Sequence, residues 1–269
     1  MYKKKIISKY IQFIGKIYSS NSFLRIITYH SISDNFRNKY NVSIKNFEEQ
    51  IKYLKQSNFI SLRAKDILDV KSIIGEKSKY VVVSFDDGVQ NNLSNAVNIL
   101  KKYDFTATFF VFTAGITSDR NKYNSRVGSF SNVELMSWDD LGYLDNMAFE
   151  IGSHSHTHTL ISKLDKKQAE TEISVSKSIL EDKLNKNVVS FSYPFGHPNS
   201  YSKYTKEMIK EAGYKIACTQ DGGIIRKVKD CFQLPRIGIT GDDNLESFKL
   251  KVCGYYDCIK ILNYRYYLK

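Results

Sequence analysis

Two short stretches of this chain carry side chains able to do chemistry, at spacings that let them act together. SFDDG, residues 84–88, places the adjacent carboxylates Asp86 and Asp87 after an apolar run and before a glycine. GSHSHTHTL, residues 152–160, holds His154, His156 and His158, three of the five histidines in the whole chain. Neighbouring side chains on extended backbone point apart, so one carboxylate can face a metal while the other reaches an adjacent position of the same site. His154 and His158, four residues apart, present two imidazoles to one ion on a helical or turn-like backbone, and His156 takes a different heading. Two of the three histidines are therefore expected as ligands. Adding Asp87 gives two histidines and one carboxylate. Three protein ligands leave a position open for water, as catalytic metals require, whereas a structural zinc is closed by four.

Such residues need elements to position them. Seven β-rich runs, at 24–30, 80–85, 106–112, 149–154, 188–194, 214–219 and 233–239, alternate with amphipathic stretches such as 45–56, 90–103, 165–184 and 203–212. That rhythm is the mark of repeated βα units around a parallel sheet. No Pro/Gly/Ser-rich linker divides it, so the expected fold class is α/β, a closed or nearly closed (β/α) barrel of six or seven units forming a single domain. An open doubly wound sheet is the alternative that periodicity alone does not separate. The polar clusters follow the strand runs: Asp86-Asp87-Gly88 after YVVVSF, the histidines after FEIGS, Phe195-Gly196 after VVSFSYP, and His30 after LRIITY. In either architecture the carboxyl ends of parallel strands form the functional rim, so four separate segments are predicted to converge on one face.

At this point the sequence resembles the polysaccharide deacetylase family of carbohydrate esterases. SFDDG resembles its first motif, usually TFDDG; GSHSHTHTL resembles its second, H-S/T-x-x-H; SYPFG at 192–196 resembles the Y-P-F/Y-G form of its third. MSWDDLGYL, EAGYKIACT and LPRIGI extend the likeness over about residues 24–250. The resemblance implies a distorted (β/α)7-type barrel, single-domain hydrolase that removes acetyl from an N-acetylated amino sugar, with Asp86 as general base. It implies that Asp87, His154 and His158 bind one divalent metal, zinc first and cobalt or nickel as alternatives, while His156 falls at a variable position. The Phe195 amide aligns with the oxyanion-binding position, and Tyr193 of the same motif is placed with it on the substrate side. Ser192 stands where many members have the arginine that orients the catalytic aspartate, so Arg236 in LPRIGI is expected to supply that cation. No histidine follows His197 to provide the family's downstream acid; Tyr29-His30 matches the amino-terminal Tyr-His pair of the Y-P-Y-G branch, which assigns the general acid to His30. His197 follows the PFG turn and is assigned no role, a substrate contact being the alternative to an acid there.

Composition bounds the rest. The 269 residues carry 40 Lys plus Arg against 28 Asp plus Glu, a formal charge of +12, which favours anionic partners. With no arginine-rich block or nucleic-acid module, nucleic acid is not an expected partner. Residues 1–22 read as a basic amphipathic helix that either packs on the domain's core or lies on an anionic membrane surface. Lys9, Gln12 and Lys16 break its apolar run, so neither a signal peptide nor a spanning helix is expected, and the reading is a cytoplasmic enzyme or one peripheral at the inner membrane face. The barrel is expected over 23–250, with an extension at 251–269. Cys218, Cys231, Cys253 and Cys258 match no zinc-knuckle spacing and are read as thiols. The expected substrate is an N-acetylated amino sugar of a polysaccharide or a lipid-linked glycan. Hydrolysis of another amide and glycan binding without turnover are the competing readings.

Overall fold

Each of the seven expected runs forms a strand. In the computed structural model, which describes residues 22–35, 38–74, 78–116 and 133–257, these are β1 (Phe23–Tyr29), β5 (Lys79–Phe85), β6 (Thr108–Val111), β7 (Glu150–Ser153), β8 (Ser190–Ser192), β9 (Ile216–Thr219) and β10 (Leu234–Gly238). They run in the order β1-β10-β9-β8-β7-β6-β5, and β1 also pairs with β5, which closes the ring. Every pair in it is parallel. The open doubly wound alternative is thereby excluded: the fold is a seven-stranded parallel barrel.

Three short strands lie outside the seven. β2 (Ser31–Ile32) and β3 (Asn41–Val42) pair beside the exit of β1. β4 (Phe59–Leu62) fills a splay in the wall: it pairs with the lower part of β5, from Phe59 opposite Lys79 to Leu62 opposite Val82, whereas β6 pairs only with Ser84 and Phe85. Its residues are mostly part-exposed, so FISL gives no clean burial pattern in sequence.

The alternation of side chains across a strand sets the two layers of the core. Leu24, Ile26, Tyr80, Val82, Phe110, Ile216, Cys218 and Leu234 form one cluster inside the barrel. Ile27, Tyr29, Val81, Val83, Phe109, Ile151, Phe191 and Ala217 join the larger cluster beneath the helices. Even-numbered residues of these strands thus point inward, odd-numbered ones outward. Gly152 is an inward position with no room for more: a Cβ there would lie 2.6 Å from the Phe110 ring.

The helices begin where the sequence supplies caps. Ser43 caps Ile44–Gln56, and Asp165 with Gln168 forms a capping box for Lys166–Leu184. Ser137 with Asp140 does the same for Trp138–Asn146, and Ser202 with Thr205 for Lys203–Glu211. The expected boundary at 250 needs correction, because it falls inside the helix Leu245–Val252. Asp257 beyond it is tied to the barrel by Arg25, whose Nη2 lies 2.8 Å from Oδ2. Residues 1–21 of the expected helix, Cys258 and most of 251–269 lie outside the described residues.

Candidate active site

The barrel's inward positions turn polar at the carboxyl end. Thr28, Ser84, His154, Ser192 and Arg236 sit at the top of their strands, all buried, and Asp86 follows directly on β5. Arg236 crosses this layer. Its Nη1 donates to Asp86 Oδ1 and its Nη2 to Asp86 Oδ2, both at 2.7 Å. The rest of the guanidinium is used as well: Nη2 donates to Ser192 Oγ (2.6 Å), Nη1 to Ser84 Oγ (3.2 Å) and Nε to the Thr219 carbonyl (3.2 Å). Burial alone would push the Asp86 carboxyl up, but Arg236 and then His154 outweigh it and hold the group below its ordinary value. Ser192 therefore does not leave a gap in the charge pattern. Arg236 reaches the aspartate from two strands away, and the serine hydroxyl completes its shell.

Asp87, one residue further, leaves the strand with φ +71°. Eight non-glycine residues of the described chain have positive φ. Asn58, Asp104, Ala148 and Asn185 close helices, where the left-handed conformation is routine. The other four, Asp87, Ser155, His158 and Phe195, all belong to the rim loops. Unfavourable backbone conformations at such residues persist only where the surroundings impose them. Here they turn Asp87 and His158 back towards the barrel axis.

As a result Asp87 Oδ1 lies 3.2 Å from His158 Nε2 and 3.5 Å from His154 Nε2. The three donor atoms lie within 4.8 Å of one another. The tautomer of His154 is fixed by its other nitrogen: Nδ1 is 2.8 Å from the Ser192 carbonyl, which can only accept, so the proton is on Nδ1. Burial keeps this ring neutral, with its pKa lowered to about 4. A bare Nε2 lone pair therefore faces a carboxylate oxygen of Asp87 at 3.5 Å. Lone pair against lone pair is repulsive unless a cation lies between them. Two donors about 2.1 Å from one tetrahedral ion stand about 3.4 Å apart, so the observed separations fit a divalent metal. Burial works against charging His158, yet the Asp87 carboxylate beside it prevails and raises its pKa.

The loop bearing the histidines is held from outside the cluster. Glu172, on the helix Lys166–Leu184, accepts from the His156 amide (3.0 Å), the Thr157 amide (2.8 Å) and Thr157 Oγ1 (2.6 Å). His156 does not face the metal donors; its Nδ1 bonds Thr113 Oγ1 at 2.8 Å. No local sequence signal marks Glu172, which sits fourteen positions beyond His158.

These residues open on a cavity of about 560 Å³ at the barrel mouth, lined by His30, Asp86, Asp87, His154, His158 and Phe195 among others. His197, Tyr40, Gln220 and Thr240 also line it. Of those, only His197 was singled out by the sequence. His30 packs against Tyr40 with ring centroids 5.0 Å apart, and the Phe195 ring stands 5.1 Å from that of His158. A hollow of about 720 Å³ among Lys55, Phe59, Arg63 and Phe149 lies at the amino ends of the strands and holds none of the candidate site residues. Tyr193 is a correction to the sequence reading. It is an odd-numbered position, fully buried in the outer layer, and its hydroxyl donates to the Phe232 carbonyl at 3.0 Å. Its amide donates to the Cys218 carbonyl, so neither group serves a substrate. Tyr29 likewise turns outward, bonding Gln50 at 2.7 Å, and only His30 of that pair reaches the cavity.

The model of the polysaccharide deacetylase family matches residues 74–217, just over half of the chain and the segment that carries the Asp86-Asp87 and His154–His158 motifs. The chain belongs to that family. It is a polysaccharide deacetylase by descent, a hydrolase acting on amide bonds. Among curated proteins it is 26% identical over 251 residues to a poly-β-1,6-N-acetyl-D-glucosamine N-deacetylase of Staphylococcus aureus, covering 90% of this chain and 82% of that protein. Among solved structures, a Streptococcus pyogenes deacetylase in complex with acetate superposes with a TM-score of 0.71 at 23% identity, over 87% of this chain and 99% of that one. IcaB of Ammonifex degensii gives 0.69 at 19% identity, over 87% and 97% of the two chains. At these identities the two structures establish the barrel fold.

Proposed function

We propose that this deacetylase is a metal-dependent N-deacetylase that removes acetyl from an N-acetylated amino sugar of a polysaccharide or a lipid-linked glycan. The observation that carries the reading is the pairing of an Arg236-clamped Asp86 with the Asp87, His154 and His158 donors in one cavity. The Staphylococcus aureus relative's name supports an N-acetylated glucosamine polymer as the substrate class.

Asp87, His154 and His158 are the residues that would hold the metal. When bound, a divalent cation supplies Lewis acidity, which brings the pKa of water from ~15.7 towards ~7 and polarises the amide carbonyl. Asp86 Oδ2 lies 3.8 Å from His154 Nε2, which places the base beside the donor cluster without making it a ligand. Asp86 takes the proton of the attacking water as the new C–O bond forms. The Phe195 amide steers the oxyanion. Breaking the C–N bond then requires a proton on the departing nitrogen, and His30, at the cavity wall, supplies it. Acetate and the free amine leave.

The test is acetate release from an N-acetylglucosamine oligomer by protein stripped with a chelator and refilled with zinc or cobalt, together with calorimetric metal titration. Stripped protein is expected to lose activity and regain it at one metal per chain. His158→Ala is expected to lose tight binding altogether. Tight binding of one metal without acetate release from any N-acetyl sugar would move the reading to another amide.

The same titration checks the loop clamp. Glu172→Ala is expected to weaken metal affinity about 10- to 100-fold, the range found when partners behind metal ligands are removed. Unchanged affinity in a folded variant would mean that Ser155 to His158 hold their shape without it.

A further inference from the structure

The chain from His30 to Ile32 is gripped by three asparagines from one neighbouring turn. Asn92, fully buried, donates from Nδ2 to the His30 carbonyl at 2.7 Å. Asn91 donates from Nδ2 to Ser31 Oγ at 2.8 Å and accepts from the Ile32 amide at 3.2 Å. Asn95 donates from Nδ2 to the Ile32 carbonyl at 2.8 Å. Four side-chain bonds thus fall on three consecutive residues, just where β1 has left the barrel wall and only the two-residue pairing of β2 with β3 supports the chain.

The asparagines sit on a π-helical turn, Asn92–Ala96, and its flank. Such turns are rare and concentrate at functional sites. This one follows directly from the Asp86-Asp87-Gly88 loop, and Asp86 in turn donates its amide to the Tyr29 carbonyl at 3.0 Å. A single segment, 86–95, therefore carries the base, one metal donor and the grip on His30. The separation between the two sides of the cavity is fixed through that segment.

We propose that Asn91, Asn92 and Asn95 are positioning residues for the acid half of the reaction: they hold residues 30–32 so that the His30 imidazole meets the departing amine. The inference rests on the reading of His30 as the general acid. A clamp that only stabilised the fold would affect every substrate alike. A clamp that positions the acid matters only where the leaving group needs a proton. An amine leaving an amide needs one, whereas the phenolate leaving an activated aryl acetate ester departs without it.

The experiment compares wild type, Asn92→Leu, Asn95→Ala and His30→Ala as zinc-loaded full chains. Each is assayed on an N-acetylglucosamine oligomer and on an aryl acetate ester, with zinc affinity measured in parallel. Asn92→Leu is expected to lower kcat on the amide about 10- to 100-fold, the scale of a misplaced catalytic group, with ester turnover within about threefold and zinc affinity unchanged. Asn95→Ala, the milder change at a half-buried position, is expected to show the same selectivity at about three- to tenfold, and it decides the matter should Asn92→Leu not fold. Parallel loss on amide and ester, or no loss on either, overturns the clamp. His30→Ala separates the two levels of inference. If it loses amide and ester activity equally, the acid assignment is what fails; if it is amide-selective while the asparagine variants are not, only the clamp is retired.

Discussion

Asp86→Asn is expected to lower kcat for acetate release by about 10²- to 10⁴-fold, the share that a well-placed general base contributes, while the chain still takes up one divalent metal. The substitution keeps the size and planarity of the side chain and removes its ability to accept a proton. Metal uptake should survive because Asp86 is not among the three converging donors; its Oδ2 lies 3.8 Å from His154 Nε2. The cost appears elsewhere. Arg236 loses the carboxylate that its two Nη atoms grip, and a buried cation without its counter-charge destabilises the fold by about 3–5 kcal/mol. Activity and metal content are therefore to be measured well below the variant's melting temperature. A folded, metal-loaded Asp86→Asn that retained turnover within about threefold of wild type would remove Asp86 from the role of base.

Why Asp86 and Asp87 divide their labour was only half legible beforehand. Alternation along a strand says that adjacent side chains diverge, and Asp86 does point inward with Ser84 and Val82. Asp87 should then point outward, and it would, but for the left-handed turn at φ +71° that brings it back. Sequence carries the residue types but no clear sign of that turn. The seven strands and most helices were readable because hydrophobic periodicity and caps are local. β4 was not, since it exists to fill a splay between β5 and β6 that only the closed barrel creates. Tyr193 could not be placed from parity alone: it takes the register of β8 on β7, Phe191 opposite Ser153, to show that Ser192 faces inward with His154 and Tyr193 outward. Nor could Glu172 and Tyr40, because they approach the site from other segments with no pattern linking them to the motifs. The asparagines lay in plain view after the DDG loop, but their partner is a main chain sixty residues earlier.

Arg236→Met carries the other large expected effect, and its sign depends on pH. Removing the guanidinium leaves Asp86 buried and unpaired, which is expected to destabilise the protein by about 3–5 kcal/mol near neutrality. In the native protein the pair holds the Asp86 carboxyl below its ordinary value, so its stabilisation is present above the unfolded pKa of about 3.9 and is lost as the pH falls through the folded value. In the variant only burial and the histidines act on Asp86. Desolvation then raises its pKa above the unfolded value, and the group sheds its penalty by taking up a proton. The stability deficit should consequently be largest at neutral pH and shrink on acidification, which urea melts at several pH values would reveal. The acid limb of the pH–rate profile should move upward for the same reason, since a base that is protonated at higher pH is lost at higher pH. Adding Asp86→Asn to Arg236→Met removes the orphaned charge and should recover much of the stability without recovering activity. If the double variant were as unstable as the sum of the two single changes, Arg236 would be acting through its packing on Phe110, 5.3 Å from the ring centre, rather than through the carboxylate it faces.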